Sequence, residues 1–167
     1  MRSRGGRDAG TAAREVETAE CDEQAPVVVE EWLRYVELVG RRVAEGVFEV
    51  RRGEPARTAA VMSDVAAAAS ASSARLHRAA RDIIDPELRE MATALAADYT
   101  RLAGFAARVA RTDGPTDEAA YRRELTPVID GTDLDSRRLG GWLSIHCPDL
   151  ASQALRTIEL RRLPRTR

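Results

Sequence analysis

The stretch DPELREMATALAADYTRLAGFAARVA, residues 85–110, decides the fold. Leu88, Met91, Leu95, Tyr99, Leu102, Phe105 and Val109 recur at steps of three and four, the period of one face of an α-helix. Asp85 stands where a helix cap belongs and Pro86 where a first turn tolerates a missing N–H. Asp113-Gly114-Pro115 supplies the stop. An unbroken stripe of this kind becomes stable by packing against other helices, so the segment predicts a bundle.

Upstream, Arg51-Arg52-Gly53-Glu54-Pro55 breaks the chain, and a second helix is expected from Pro55 to Ile84. Its stripe is Val61, Val65, Ala69, Leu76, Ala80 and Ile83, across a middle that is nearly all Ala and Ser. Such a surface lets a neighbour approach closely while burying little area per residue. A first helix opens near Pro26 with Val28, Trp32, Tyr35, Val36, Val39 and Val43 inward and Glu30–Arg34 and Glu37–Arg41 pairs outward. Around Gly46 the period loosens, and Val47–Val50 reads as a frayed or extended end.

Downstream the signal is weaker. Thr116–Leu125 reads as a short helix stopped at Thr126-Pro127, because the residue before a proline avoids the helical region. Thr132 and Asp135 resemble a capping box for a second piece. That piece would turn Leu134, Leu139, Trp142 and Ile145 inward and end near Cys147-Pro148. Asp149–Leu163 completes the set, carrying Leu150, Leu155 and Ile158. The expected fold is all-α, an up-down helical bundle of three long helices plus two or three shorter C-terminal helices. Residues 1–22 read as a disordered lead-in, 23–150 as the bundle, and 151–167 as a C-terminal helix with an Arg-rich tail.

Composition agrees with helix. Aromatic residues are only 4% of 167, and alanine dominates the apolar share. All 26 basic residues are arginine, which excludes a side-chain Schiff base and a lysine-bearing phosphate loop; GC-rich codon usage accounts for the bias. No apolar run reaches membrane-span length, and the net charge of −1 gives no field to gather nucleic acid. The chain is therefore expected to be soluble, and nucleic acid is not an expected partner. The arginine-rich ends, residues 1–14 and 156–167, lack the interleaved aromatics that stack on bases and read as solvated tails. The first twenty residues carry charge where a secretory signal needs an apolar centre, so the chain as written reads as cytoplasmic, with an extracytoplasmic alternative if the true start lies upstream.

The search for chemistry is short. Glycine-rich nucleotide loops and the G-x-S-x-G elbow do not occur. Ser70, Ser72 and Ser73 read as small packing or surface residues. A bundle di-metal site needs Glu-x-x-His, yet Ala74 and Leu143 stand three residues before His77 and His146. His146, Cys147 and His77 are the remaining zinc candidates, and adjacent helical positions project about 100° apart, which disfavours a shared ion. No catalytic, cofactor or metal residue is assigned, and no cofactor is expected. Asp98, Tyr99, Arg101 and Trp142 are the raw material for a hidden ligand site, with Tyr99 and Trp142 read as core and the charges as face residues.

Two cysteines remain as a candidate pair. In a four-sided up-down bundle the first helix starts, and the fourth ends, at one pole, so Cys21 and Cys147 can meet there. A bridge would make sense only outside the reducing cytosol. Cys21, Asp85-Pro86-Glu87-Leu88 and Trp142–Cys147 together resemble small exported actinobacterial alanine-rich helical domains of unknown function, which carry a cysteine before the first helix and another after a short aromatic-containing one. The resemblance covers about residues 21–148 and implies no activity. Expected, then, is a non-enzymatic interaction or scaffold domain with a protein partner or self-association. The alternatives are an exported disulfide-stapled binding domain and a small-ligand or metal-binding bundle.

Overall fold

The computed structural model describes residues 20–112 and 117–162, and among them every regular element is helical. Helix α1 (Ala25–Glu37) and helix α2 (Ala44–Arg52) are joined without a break by a π-helical turn, Leu38–Val43. Another such turn, Glu20–Gln24, precedes α1. After this first arm come α3 (Pro55–Asp82), α4 (Pro86–Ala110), α5 (Glu118–His146) and α6 (Pro148–Arg162). Most of the expected lead-in, residues 1–19, lies outside the described residues, as do the Asp113-Gly114-Pro115 stop and the tail beyond residue 162. Residues 20–22 are already helical.

The helix ends follow from local chemistry. The Asp85 carboxylate accepts the Leu88 N–H at 2.6 Å and caps α4, with Pro86 in the first turn. The Arg89 guanidinium donates to the Ile83 carbonyl at 2.9 and 2.6 Å, satisfying the exposed end of α3 with a cation. Gly53 closes α2 in the left-handed region at φ 67°, where a Cβ would be strained. Asp117 caps α5 through the Ala119 N–H at 3.0 Å.

The arm, α3, α4 and α5 run up and down around one core. The arm packs on α3, α3 on α4, α4 on α5, and α5 returns to the arm; α6 lies across α1 and α5. The stripe read from α4 is buried throughout, from Leu88 to Val109. Tyr99 meets Tyr35 edge-on at 4.9 Å, and Phe105 meets Tyr121 at 5.0 Å. Gly46 lets α2 approach α3, since a Cβ there would overlap Met62 Cε and lie 3.0 Å from the Tyr121 hydroxyl.

Several expectations need correction. Val47–Val50 is helical, with Gly46 and Val50 buried, so the arm does not fray there. The fourth side is one helix of 29 residues with Pro127 inside it, not two pieces divided at Thr126-Pro127. Pro127 faces solvent, while Tyr121, Leu125, Val128, Thr132, Leu139, Trp142 and Leu143 form a buried face that runs past it. Burying that face outweighs an interior proline's penalty of about 3 kcal/mol. Thr132 accordingly caps nothing: its hydroxyl lies 2.9 Å from the Val128 carbonyl in mid-helix. Restoring a continuous period also rotates Leu134 and Ile145 outward, 64% and 77% exposed, and leaves Leu155 of α6 exposed while Ala151 and Ala154 pack inward.

Candidate functional site

Cys21 and Cys147 are joined in a disulfide, their Cα atoms 5.5 Å apart and 126 residues apart in sequence. The turn before α1 delivers the first sulfur, and the end of α5 delivers the second, with the Cys147 N–H still bonded to the Leu143 carbonyl at 2.8 Å. Beside the bridge His146 stacks on Trp142 at 4.8 Å. With Cys147 oxidised there is no thiolate to join His146 in holding zinc, and His77 is exposed on α3. Among the described residues no group of three His, Cys, Asp or Glu is placed to hold a metal ion, and no helix is long and apolar enough to cross a membrane.

A concavity runs along the outside of the bundle between the arm and α3. It has a volume of about 650 Å³ and is lined by Arg34, Glu37, Leu38, Arg41, Arg42 and Glu45 from the arm. Ala68, Ala71, Ser72 and Arg75 line it from α3, and Tyr99 from α4. The π-helical turn, which closes i to i+5, lies along this edge and carries Arg41 and Arg42.

Three of the four arginines have carboxylate partners. Arg75 grips the buried Glu31 carboxylate with two nitrogens, at 2.5 and 3.2 Å, and donates to the Ser72 hydroxyl at 2.7 Å. The Glu31 hydrogen bond is the main reason that the Arg75 pKa is raised. Arg42 bonds Glu45 at 2.5 Å and Asp64 at 2.7 Å. Arg34 pairs with Glu30 and approaches Glu31 at 3.5 Å. Below them the Tyr99 hydroxyl donates to the Glu31 backbone carbonyl at 2.7 Å, and burial holds its pKa well above the usual tyrosine value.

On the opposite side of Tyr99's helix face, the seam toward α5 is polar as well. Trp32 Nε1 donates to the Ser136 hydroxyl at 2.9 Å, and Thr132 and Tyr35 hydroxyls are 2.8 Å apart. Burial pushes the Tyr35 pKa up to about 12. Asp98, expected on a charged face, is fully buried instead. Arg101 pairs with Oδ1, passing over Gly131, where a Cβ would stand 3.5 Å from its guanidinium. Oδ2 has no hydrogen-bond partner. Burial therefore raises the Asp98 pKa to about 6; Arg101 opposes the rise, and the Asp135 carboxylate of α5 adds to it.

Sequence reasoning missed Glu31, Arg75 and the buried state of Asp98. For Asp98 a signal existed: Leu95, Asp98 and Leu102 are also spaced by three and four, so the acid sits on the seam itself. Of the hidden-site candidates, Tyr99 and Trp142 are core, whereas Arg101 is half exposed. Ser72 and Ser73 are buried, the latter bonded to the Ala96 carbonyl at 2.9 Å, and Ser70 is exposed.

Comparison with protein-family models, with curated proteins and with solved structures finds no match for the chain.

Proposed function

We propose that the chain is a non-catalytic binding domain that works in an oxidising compartment, with the arginine-lined groove as its binding face. The observation that carries this reading is the Cys21–Cys147 bridge, which ties the start of the arm to the end of α5. Structural disulfides persist outside the reducing cytosol, in secreted, periplasmic or surface proteins. The resemblance to exported helical domains points the same way.

The groove itself favours binding over turnover. A guanidinium stays protonated at any physiological pH, so it holds an anion but does not pass a proton. Among the described residues the carboxyl whose pKa burial raises, to about 6, is that of Asp98, which is enclosed between α4 and α5.

The test is a thiol count on protein isolated from its native host, alkylated during denaturing lysis and weighed intact. No alkylation without reductant, and two alkylated cysteines after it, are expected. Two free thiols in the native protein would remove the oxidising compartment. A reproducible turnover by the purified monomer would remove the non-catalytic reading.

A further inference from the structure

We propose that Asp98 of α4 and Asp135 of α5 form a proton-operated latch on the middle of α5, independent of the groove. With one proton shared between the two carboxyls, residues 128–136 stay closed on the core. With that proton gone they open locally and let water into the seam with α1. Asp98 is fully buried, its Oδ1 is taken by Arg101, and its Oδ2 has no hydrogen-bond partner. Gly131 lies over that carboxyl, since a Cβ there would stand 3.9 Å from Oδ1 and 3.5 Å from the Arg101 guanidinium. Asp135 follows Gly131 by one helical turn, on the same face of α5, and its carboxylate interacts with that of Asp98. Two carboxylates facing each other repel when both are ionised, whereas a proton between them makes a hydrogen bond and gives Oδ2 a partner.

Every packed neighbour enters the balance. Arg101, on the same helix, favours the ionised form, but its side chain is 52% exposed and solvent screens it. Burial and Asp135 oppose ionisation and prevail, so Asp98 holds its proton below about pH 6. From α1 comes the Tyr35 phenol, which stays protonated because burial pushes it up to about 12. Arg138, three residues past Asp135, is bonded to Glu90 at 3.2 Å. The α3 helix meets this stretch of α4 through the neutral Ser73 hydroxyl. Of the two helices α5 is the one that yields. Pro127 leaves it one N–H short, and Gly131 adds no side chain to the contact. Its ends are fixed, by Tyr121 against Phe105 and by the disulfide at Cys147, so the middle can open without release of the whole helix. Opening breaks the bonds of Trp32 to Ser136 and of Thr132 to Tyr35.

The experiment is native-state amide hydrogen exchange on the intact, disulfide-bonded protein at pH 5, 6, 7 and 8, with intrinsic exchange rates divided out. The opening equilibrium of residues 128–136 should rise about tenfold from pH 5 to pH 8, with its midpoint near 6. At pH 8 that segment should exchange faster than the core of α4 and depend only weakly on urea, because a local opening exposes little surface. Asp98→Asn should flatten the profile. Asp135→Asn, at a half-buried position, should flatten it too and decides the matter if the Asp98 variant does not fold. Asp133→Asn, which removes an exposed carboxylate paired with Arg137, should leave it steep. A flat profile in the parent, or a steep one that survives either latch variant, would overturn the inference. So would exchange of residues 128–136 with the same urea dependence as α4, which would mean that they open only when the whole chain unfolds.

Discussion

Opening the Cys21–Cys147 bridge should cost this fold a large share of its stability without changing its shape. The bridge spans 126 residues of sequence. On the chain-entropy model, releasing a loop of that length frees the unfolded chain by about 5 kcal/mol. A domain of this size has a total stability on the order of 5–15 kcal/mol. At roughly 2–4 °C per kcal/mol, reduction should lower Tm by about 10–20 °C. The assay is thermal unfolding followed by far-UV circular dichroism with and without dithiothreitol, alongside a Cys21→Ala/Cys147→Ala variant. Cys147 is buried, so the variant also loses a little packing, and reduction alone isolates the loop effect. The native spectrum at 20 °C should be unchanged, because the effect acts on the unfolded state. The urea m-value should rise as the unlinked chain expands. A Tm shift below about 3 °C, or loss of helix at 20 °C on reduction, would refute the reasoning. The first would mean that the pole stays closed in the unfolded ensemble, the second that the bridge holds the native helices themselves.

Asp98 has a pKa raised from 3.8 to about 6, so the fold favours its protonated form, and the stability present below about pH 4 is lost as pH rises through 6. Asp98→Asn should remove about 2–3 kcal/mol of that loss, seen as a higher Tm at pH 8 and little difference from the parent at pH 4. Glu31→Gln should act in the opposite sense, destabilising by about 1–3 kcal/mol in urea unfolding at pH 7. It strips the carboxylate from Arg75, an effect discounted because that guanidinium is partly exposed. Pro127→Ala should raise Tm by a few degrees, since it restores a helical N–H at an exposed position. The gain of about 3 kcal/mol in the helix is offset by about 1 kcal/mol of unfolded-chain entropy. A fall in Tm would show that α5 needs its proline bend to pack.

How far the sequence could be read depended on what ended each helix. Where capping, glycine and proline coincided with the end of an apolar period, as at Asp85-Pro86 and Gly53-Glu54-Pro55, the boundaries of α3 and α4 were legible to within a residue or two. At Thr126-Pro127 the local signal and the tertiary one disagreed. The proline's restriction is local, whereas the face from Tyr121 to Leu143 is buried against three neighbours, and only the assembled bundle weighs one against the other. Leu134 and Ile145 were misplaced for the same reason, since a broken helix restarts its period and a continuous one does not. The arm was obscured differently. A π-helical turn inserts a residue into the period at Leu38–Val43, so Gly46 to Val50 fell out of phase and looked extended.

The charged interior was the least legible part, and two of its buried acids, Glu31 and Asp98, differ in a way that composition cannot express. Glu31 meets a bidentate Arg75 whose outer edge still reaches solvent, and the pair crosses from α1 to α3 as a structural tie at the head of the groove. Asp98 has Arg101 on one oxygen, nothing on the other, and Asp135 facing it, so its charge is tolerated rather than held. Both acids stand one residue before an aromatic, Glu31 before Trp32 and Asp98 before Tyr99, and a one-residue step around a helix separates faces by about 100°. In an isolated helix that step would carry each acid to the edge of the stripe, where solvent or a neighbour is equally available. The neighbour decides: α3 brings a guanidinium to Glu31, and α5 brings a carboxylate to Asp98. The groove inherits its fixed cations from the first arrangement. The pH sensitivity of the fold follows from the second, so the two properties should respond independently when Glu31 and Asp98 are changed one at a time.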